Sequence, residues 1–87
     1  MRVTVQLFAR LRELAGTDVC AVDVDEGATV ADVWQAVAGM YPMLAPFEAS
    51  VSSAVNADFA RRDVPVHAGD AVAFLPPVSG GARPRAR

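Results

Sequence analysis

Residues 2–8, RVTVQLF, alternate: Val3, Val5 and Leu7 share one face, and Arg2, Thr4, Gln6 and Phe8 the other. That pattern predicts a strand with one buried face, on which Phe8 is an aromatic standing on the polar side. ARLRELA, residues 9–15, suits a short helix that Gly16 closes. DVCAVDV, residues 18–24, reads as a second strand and DEGAT as a turn. The strongest helical signal is TVADVWQAVAGMY. Thr29 and Asp32 have capping-box spacing, and Val30, Val33, Trp34, Val37 and Tyr41 fall on one face. Pro42 ends that helix, and residues 43–49 read as irregular. SVSSAVN is a third strand, ADFARRD a turn-rich connection, and VPV a short edge piece, where Pro65 is tolerated. HAGD is a tight turn. AVAFLP is the last strand, with Val72 and Phe74 on one face and Ala71, Ala73 and Leu75 on the other. Pro76 and Pro77 stop it and extend the chain as polyproline.

This order predicts an α+β fold in which one main helix covers a small mixed sheet. The 87 residues make one small domain. Residues 1–75 are expected to form it, 76–81 an extended tail ending in Gly-Gly, and 82–87 a basic extension that is disordered or removed. With 53% of residues hydrophobic the chain should fold. No apolar run approaches the roughly 20 residues of a membrane helix, and the alternating N-terminal stretch is no signal peptide. A cytoplasmic protein is the expectation.

The net charge of -2 is unevenly spread. Arg83, Arg85 and Arg87 lie beyond Gly81, so residues 1–81 keep five arginines against ten acids. That is a poor surface for nucleic acid. The chain contains no lysine, so it offers no lysine amine to carry an acyl group.

Stand-alone catalysis finds little support. Cys20 is the only cysteine and lies mid-strand with Val22 and Val24, where a thiol packs as a small hydrophobe. His67, the only histidine, sits in a turn and reads as solvated. One histidine and one cysteine make no metal cluster. Asp23, Asp25 and Glu26 read as a solvated acidic patch. The stretch SGG follows two prolines and opens no helix, so it is not a phosphate loop.

The segment Pro76–Gly81 has two readings. Six extended residues span roughly 20 Å, stiff at the base and bare of side chains at the tip, a shape that enters a narrow pocket. Equally, Gly80 and Gly81 fit a flexible joint to a basic tail.

The stretches LFARLRELAG, AVNADFARRD and HAGDAVAFLPPVSGG together resemble the small, sulfur-carrying subunit of molybdopterin synthase, in the family's order from residue 2 to 81. The resemblance implies a ubiquitin-like β-grasp fold. It implies that a partner enzyme adenylates the Gly81 carboxylate with ATP, that a sulfur donor converts it to a thiocarboxylate, and that the large synthase subunit accepts the tail. The assembly would be a heterotetramer, with no cofactor held stably by this chain. Gly80 and Gly81 would be the reacting end; Phe8, Phe59, Leu75, Pro76, Pro77, Val78 and Ser79 would meet the partners. In this family the second glycine is normally last, whereas here ARPRAR follows and Gly81 is an internal amide. A processing protease, a cloning remnant, or a relative that carries no sulfur each accounts for that. The arginine- and alanine-rich, lysine-free character matches the rest of the chain and favours a native extension. The alternatives in function are a β-grasp interaction module with an inert or regulatory tail, or a sulfur carrier for thiamin or cysteine synthesis.

Phe8, Phe59 and Leu75 are expected to form one exposed patch beside the base of the tail. The competing arrangement is a minor core under the loop that contains Phe59.

Overall fold

The computed structural model describes residues 1–77, so Val78, Ser79, Gly80, Gly81 and the extension lie outside it. Strand β1 (Arg2–Leu7) buries Val3, Val5 and Leu7, as its alternation requires. Helix α1 (Ala9–Ala15) buries Leu11 and ends at Gly16, whose φ of 78° is the left-handed C-terminal geometry that glycine favours. Strand β2 (Val19–Asp23) returns antiparallel to β1 with Cys20 opposite Val5.

Helix α2 (Val30–Met40) starts on the predicted capping box. The Thr29 backbone N–H donates to Asp32 Oδ2 at 2.9 Å, and the Asp32 N–H donates to Thr29 Oγ1 at 3.4 Å. Each satisfies a donor that the first turn leaves without a partner. Thr29→Ala should therefore cost about 1 kcal/mol of stability, read as a lower urea midpoint at unchanged m-value. An unchanged midpoint would mean that water caps the helix as well as threonine does.

Two segments differ from the sequence reading. Residues Pro42–Phe47 form a 3₁₀ helix rather than irregular chain, because Leu44 is drawn fully into the core. The short extra strand is not the VPV piece. After β3 (Ser52–Val55) the chain turns at Asn56 and Ala57 into β4 (Asp58–Phe59), inside the segment read as a turn-rich connection. The VPV piece contributes only an isolated bridge between Pro65 and Thr29, with Val66 buried. Strand β5 (Ala71–Leu75) follows the predicted turn, in which the Asp70 N–H donates to His67 O at 3.0 Å.

The sheet order is β2-β1-β5-β3-β4, with β1 and β5 parallel and the other neighbours antiparallel. One face carries Val3, Val5, Leu7, Val72 and Phe74 against Val30, Val33, Trp34 and Val37 of α2. Trp34 meets Phe74 edge-on, with ring centroids 5.0 Å apart. This is the mixed sheet under one helix of the β-grasp fold, and β5 leads straight into the proline pair.

Candidate functional site

The strand register determines what the sheet shows on its other face. Gln6 lies beside Ala73, Ala73 beside Ala54, and Ala54 beside Phe59. Paired residues point to the same face, so one row runs across four strands. Its centre is two alanine methyls, and its end is a phenyl ring that is 86% exposed. Two residues further along β5 stands Leu75. Phe8 rises next to it, 42% exposed, its backbone N–H donating to Phe74 O at 3.3 Å.

The result is a trough of about 310 Å³, floored by Ala54 and Ala73 and walled by Phe8, Leu75 and Phe59. A second depression, of about 510 Å³, lies across the Phe8–Leu75 ridge and is lined by Phe47, Pro76 and Pro77 as well. Apolar surface thus wraps the point at which the chain leaves the sheet. The three large side chains come together in one patch, with Phe8 and Phe59 exposed and Leu75 half-buried. They are not a minor core, because Phe8 and Phe59 remain open to solvent. Val78, Ser79, Gly80 and Gly81 lie outside the described residues.

The other titratable candidates are chemically quiet. The Cys20 thiol is half-buried, and desolvation raises its pKa, which disfavours the nucleophilic thiolate. His67 is exposed in its turn. Asp23 donates nothing to a metal cluster: it accepts a hydrogen bond from Arg2 at 3.1 Å, and that bond holds its carboxyl below the usual range. It shares a polar depression with Asp25, Glu26 and Asp32, at the Arg2 end of β1 and so at the opposite end of the sheet from Phe8. Among the described residues no group of three or more His, Cys, Asp or Glu could hold a metal ion. No helix among them is long and apolar enough to cross a membrane.

Sequence reasoning missed Arg62. Its guanidinium donates to Glu48 Oε2 at 3.3 Å and to the Glu48 carbonyl, and lies 5.9 Å from the centre of the Trp34 ring. It therefore ties the segment after Phe59 to the end of the 3₁₀ helix. Ala54 and Ala73 were missed as well, since an outward alanine carries no signal until its register partners are known.

The ThiS family profile matches residues 5–81, most of the chain and up to the second glycine of the pair. The chain belongs to the ThiS family. Its fold is that of the ubiquitin-like sulfur carriers. The molybdopterin synthase sulfur carrier subunit of Escherichia coli is 40% identical over 81 residues, covering 91% of this chain and 99% of that one. Small archaeal modifier protein 1 of Haloferax volcanii is 37% identical over 84 residues, covering 87% and 97%. The crystal structure of SAMP1 from Haloferax volcanii matches with a TM-score of 0.85 at 35% identity, over 93% of this chain and 100% of that one. A chain in the crystal structure of the Amycolatopsis orientalis BexX/CysO complex matches with a TM-score of 0.66 at 26% identity, over 91% and 99%. A chain of this fold thus occurs in a complex with a second protein.

Proposed function

We propose that this ThiS-family chain is the sulfur-carrier subunit of a molybdopterin synthase. Residues 82–87 are removed, exposing the Gly81 carboxylate. An adenylating partner uses ATP to form the acyl-adenylate and release pyrophosphate. A sulfur nucleophile then displaces AMP, leaving a thiocarboxylate whose sulfur the large synthase subunit uses in building the dithiolene. In this scheme the chain supplies a reactive end and a surface that presents it.

The observation that carries this reading is the apolar trough at the base of the tail. Six residues from Pro76 span at most about 20 Å, so a partner whose active site holds Gly81 must also approach the sheet where the tail leaves it. Phe8, Phe59, Leu75, Pro76 and Pro77 are what it would meet there, with Val78 and Ser79 along the way. Buried aromatic anchors ringed by smaller contacts are the usual source of affinity in such interfaces.

The test has two arms. Intact mass of the protein from its own cells should show loss of residues 82–87 and an oxygen-to-sulfur exchange at the new end. Phe59→Ala should weaken binding to the adenylating enzyme and to the large subunit by tenfold or more, about 1.4–3 kcal/mol. Its effect on stability should stay within about 0.5 kcal/mol, as for other exposed sites. A persistent full-length chain, or a large stability loss at unchanged affinity, would sink the proposal.

The identity to a small archaeal modifier protein supports a second reading. There an amine on another protein, rather than a sulfur nucleophile, displaces AMP from Gly81. Covalent conjugates in place of a thiocarboxylate would single it out.

A further inference from the structure

Among the described residues six positions have positive φ, and three of them are glycines: Gly16, Gly27 and Gly69. The other three are Ala9 at 52°, Asn56 at 50° and Ala57 at 75°. Asparagine tolerates the left-handed region, whereas alanine is strained there and glycine is the ordinary choice. Both alanines belong to the apolar surface around the tail base. Ala57 lines the trough between Phe8 and Phe59, and Ala9 lines the adjoining depression. Ala57 is also the pivot for one aromatic wall, and Ala9 sets how α1 leaves the other.

Ala9 follows Phe8 directly, at the bend where β1 gives way to α1 and Leu11 turns into the core. Ala57 is the second residue of the two-residue hairpin turn, a geometry in which Asn-Gly is the preferred pair. Asn56, before it, is anchored. Its Nδ2 donates to Asp70 Oδ1 and its Oδ1 accepts the Ala71 N–H, both at 3.0 Å. Beyond Ala57 come only Asp58 and then Phe59, on an edge strand paired on one side. Rotation at Ala57 would therefore move the Phe59 ring, and rotation at Ala9 would change how α1 departs beside Phe8.

Strained residues persist where the surrounding structure dictates them, and they collect at sites that bind. We propose that Ala9 and Ala57 are positioning residues. Their Cβ atoms confine two left-handed joints and so hold Phe8 and Phe59 in the docking arrangement before a partner arrives. This rests on the docking role proposed above for the trough. Glycine at either joint would relieve the strain but free the backbone, and that freedom would be lost again on docking.

The test uses the chain ended at Gly81 with its cognate adenylating enzyme, following ATP-dependent pyrophosphate release. Ala9→Gly and Ala57→Gly should each raise the unfolding midpoint by about 2–5 °C. Each should also raise KM for the carrier about threefold, and the pair about tenfold, with kcat unchanged. Ala57→Ser, which keeps a Cβ, should retain the original KM. Phe59→Ala, run in parallel, separates the two layers. If it raises KM while the glycine variants do not, the positioning role is overturned and the docking surface stands. If Phe59→Ala leaves KM unchanged, the docking reading falls and takes the inference with it. Glycine variants less stable than the original would show that the alanines are not strained, which also overturns it.

Discussion

A chain ended at Gly81 is expected to be adenylated and converted to a thiocarboxylate, while one ended at Gly80 loses at least about a hundredfold in rate. Both chains end in a glycine carboxylate, so the reacting group is chemically the same and equally unhindered. What differs is reach: one residue withdraws the carboxylate by roughly 3.3–3.6 Å. A carboxylate oxygen must attack the α-phosphorus of ATP in line with the bond to the departing pyrophosphate, and misplacement by about 1 Å already costs on the order of a hundredfold. The body of the fold is untouched, so thermal midpoints should agree. The full-length chain should not react, because its Gly81 carbonyl is an amide. Pyrophosphate release and intact mass follow all three. Comparable rates from the Gly80-ended chain, or modification of the full-length chain without cleavage, would remove Gly81 from the mechanism.

Much of the fold was legible in the sequence, because periodic burial is written residue by residue. Val3, Val5 and Leu7 give β1, Val72 and Phe74 give β5, and the Val30–Val37 stripe with Thr29 and Asp32 gives α2 and its start. The losses came where tertiary contacts outvote local signals. In Pro42–Phe47 two prolines argue against a helix, yet burying Leu44 winds the segment into a 3₁₀ turn. The β3–β4 hairpin was hidden because its turn is Asn56–Ala57 and lacks the usual glycine. The same substitution of alanine for glycine that concealed the strand underlies its proposed role.

The site was half legible, for a similar reason. Phe8 could be found as an aromatic on a polar face, Leu75 as the large residue on the less bulky face of the last strand, and Phe59 as an aromatic in a polar stretch. Their convergence depends on Ala54 pairing with both Ala73 and Phe59, a matter of register across three strands. Low side chains at the centre of that row make a trough between the rings. Bulky ones would have filled it. The proposed reacting end, by contrast, lies outside the described residues and rests on its motif, since two glycines have no side-chain chemistry of their own.

Replacing Trp34 with alanine should remove most of the chain's stability at 25 °C, leaving about 0–2 kcal/mol, whereas Trp34→Phe should cost no more than about 1 kcal/mol. Trp34 is fully buried at the centre of the core, edge-on to Phe74 and beneath the Arg62 guanidinium. Truncation to alanine removes transfer energy and leaves a cavity, together about 3–5 kcal/mol. A domain of this size has about 5 kcal/mol to lose. Phenylalanine keeps one ring against Phe74 and part of the attraction to Arg62, which is worth about 0.5–1 kcal/mol at most. It also removes a liability: the indole Nε1 is buried with no hydrogen-bond partner among the described residues. An unsatisfied buried donor costs about 1–3 kcal/mol, and its loss offsets much of the lost indole volume. Trp34 is the only tryptophan, so unfolding in urea must be followed by far-UV circular dichroism rather than fluorescence. If Trp34→Phe proves as damaging as Trp34→Ala, the indole N–H has a partner, such as a trapped water, and the second ring's packing under Arg62 governs the core.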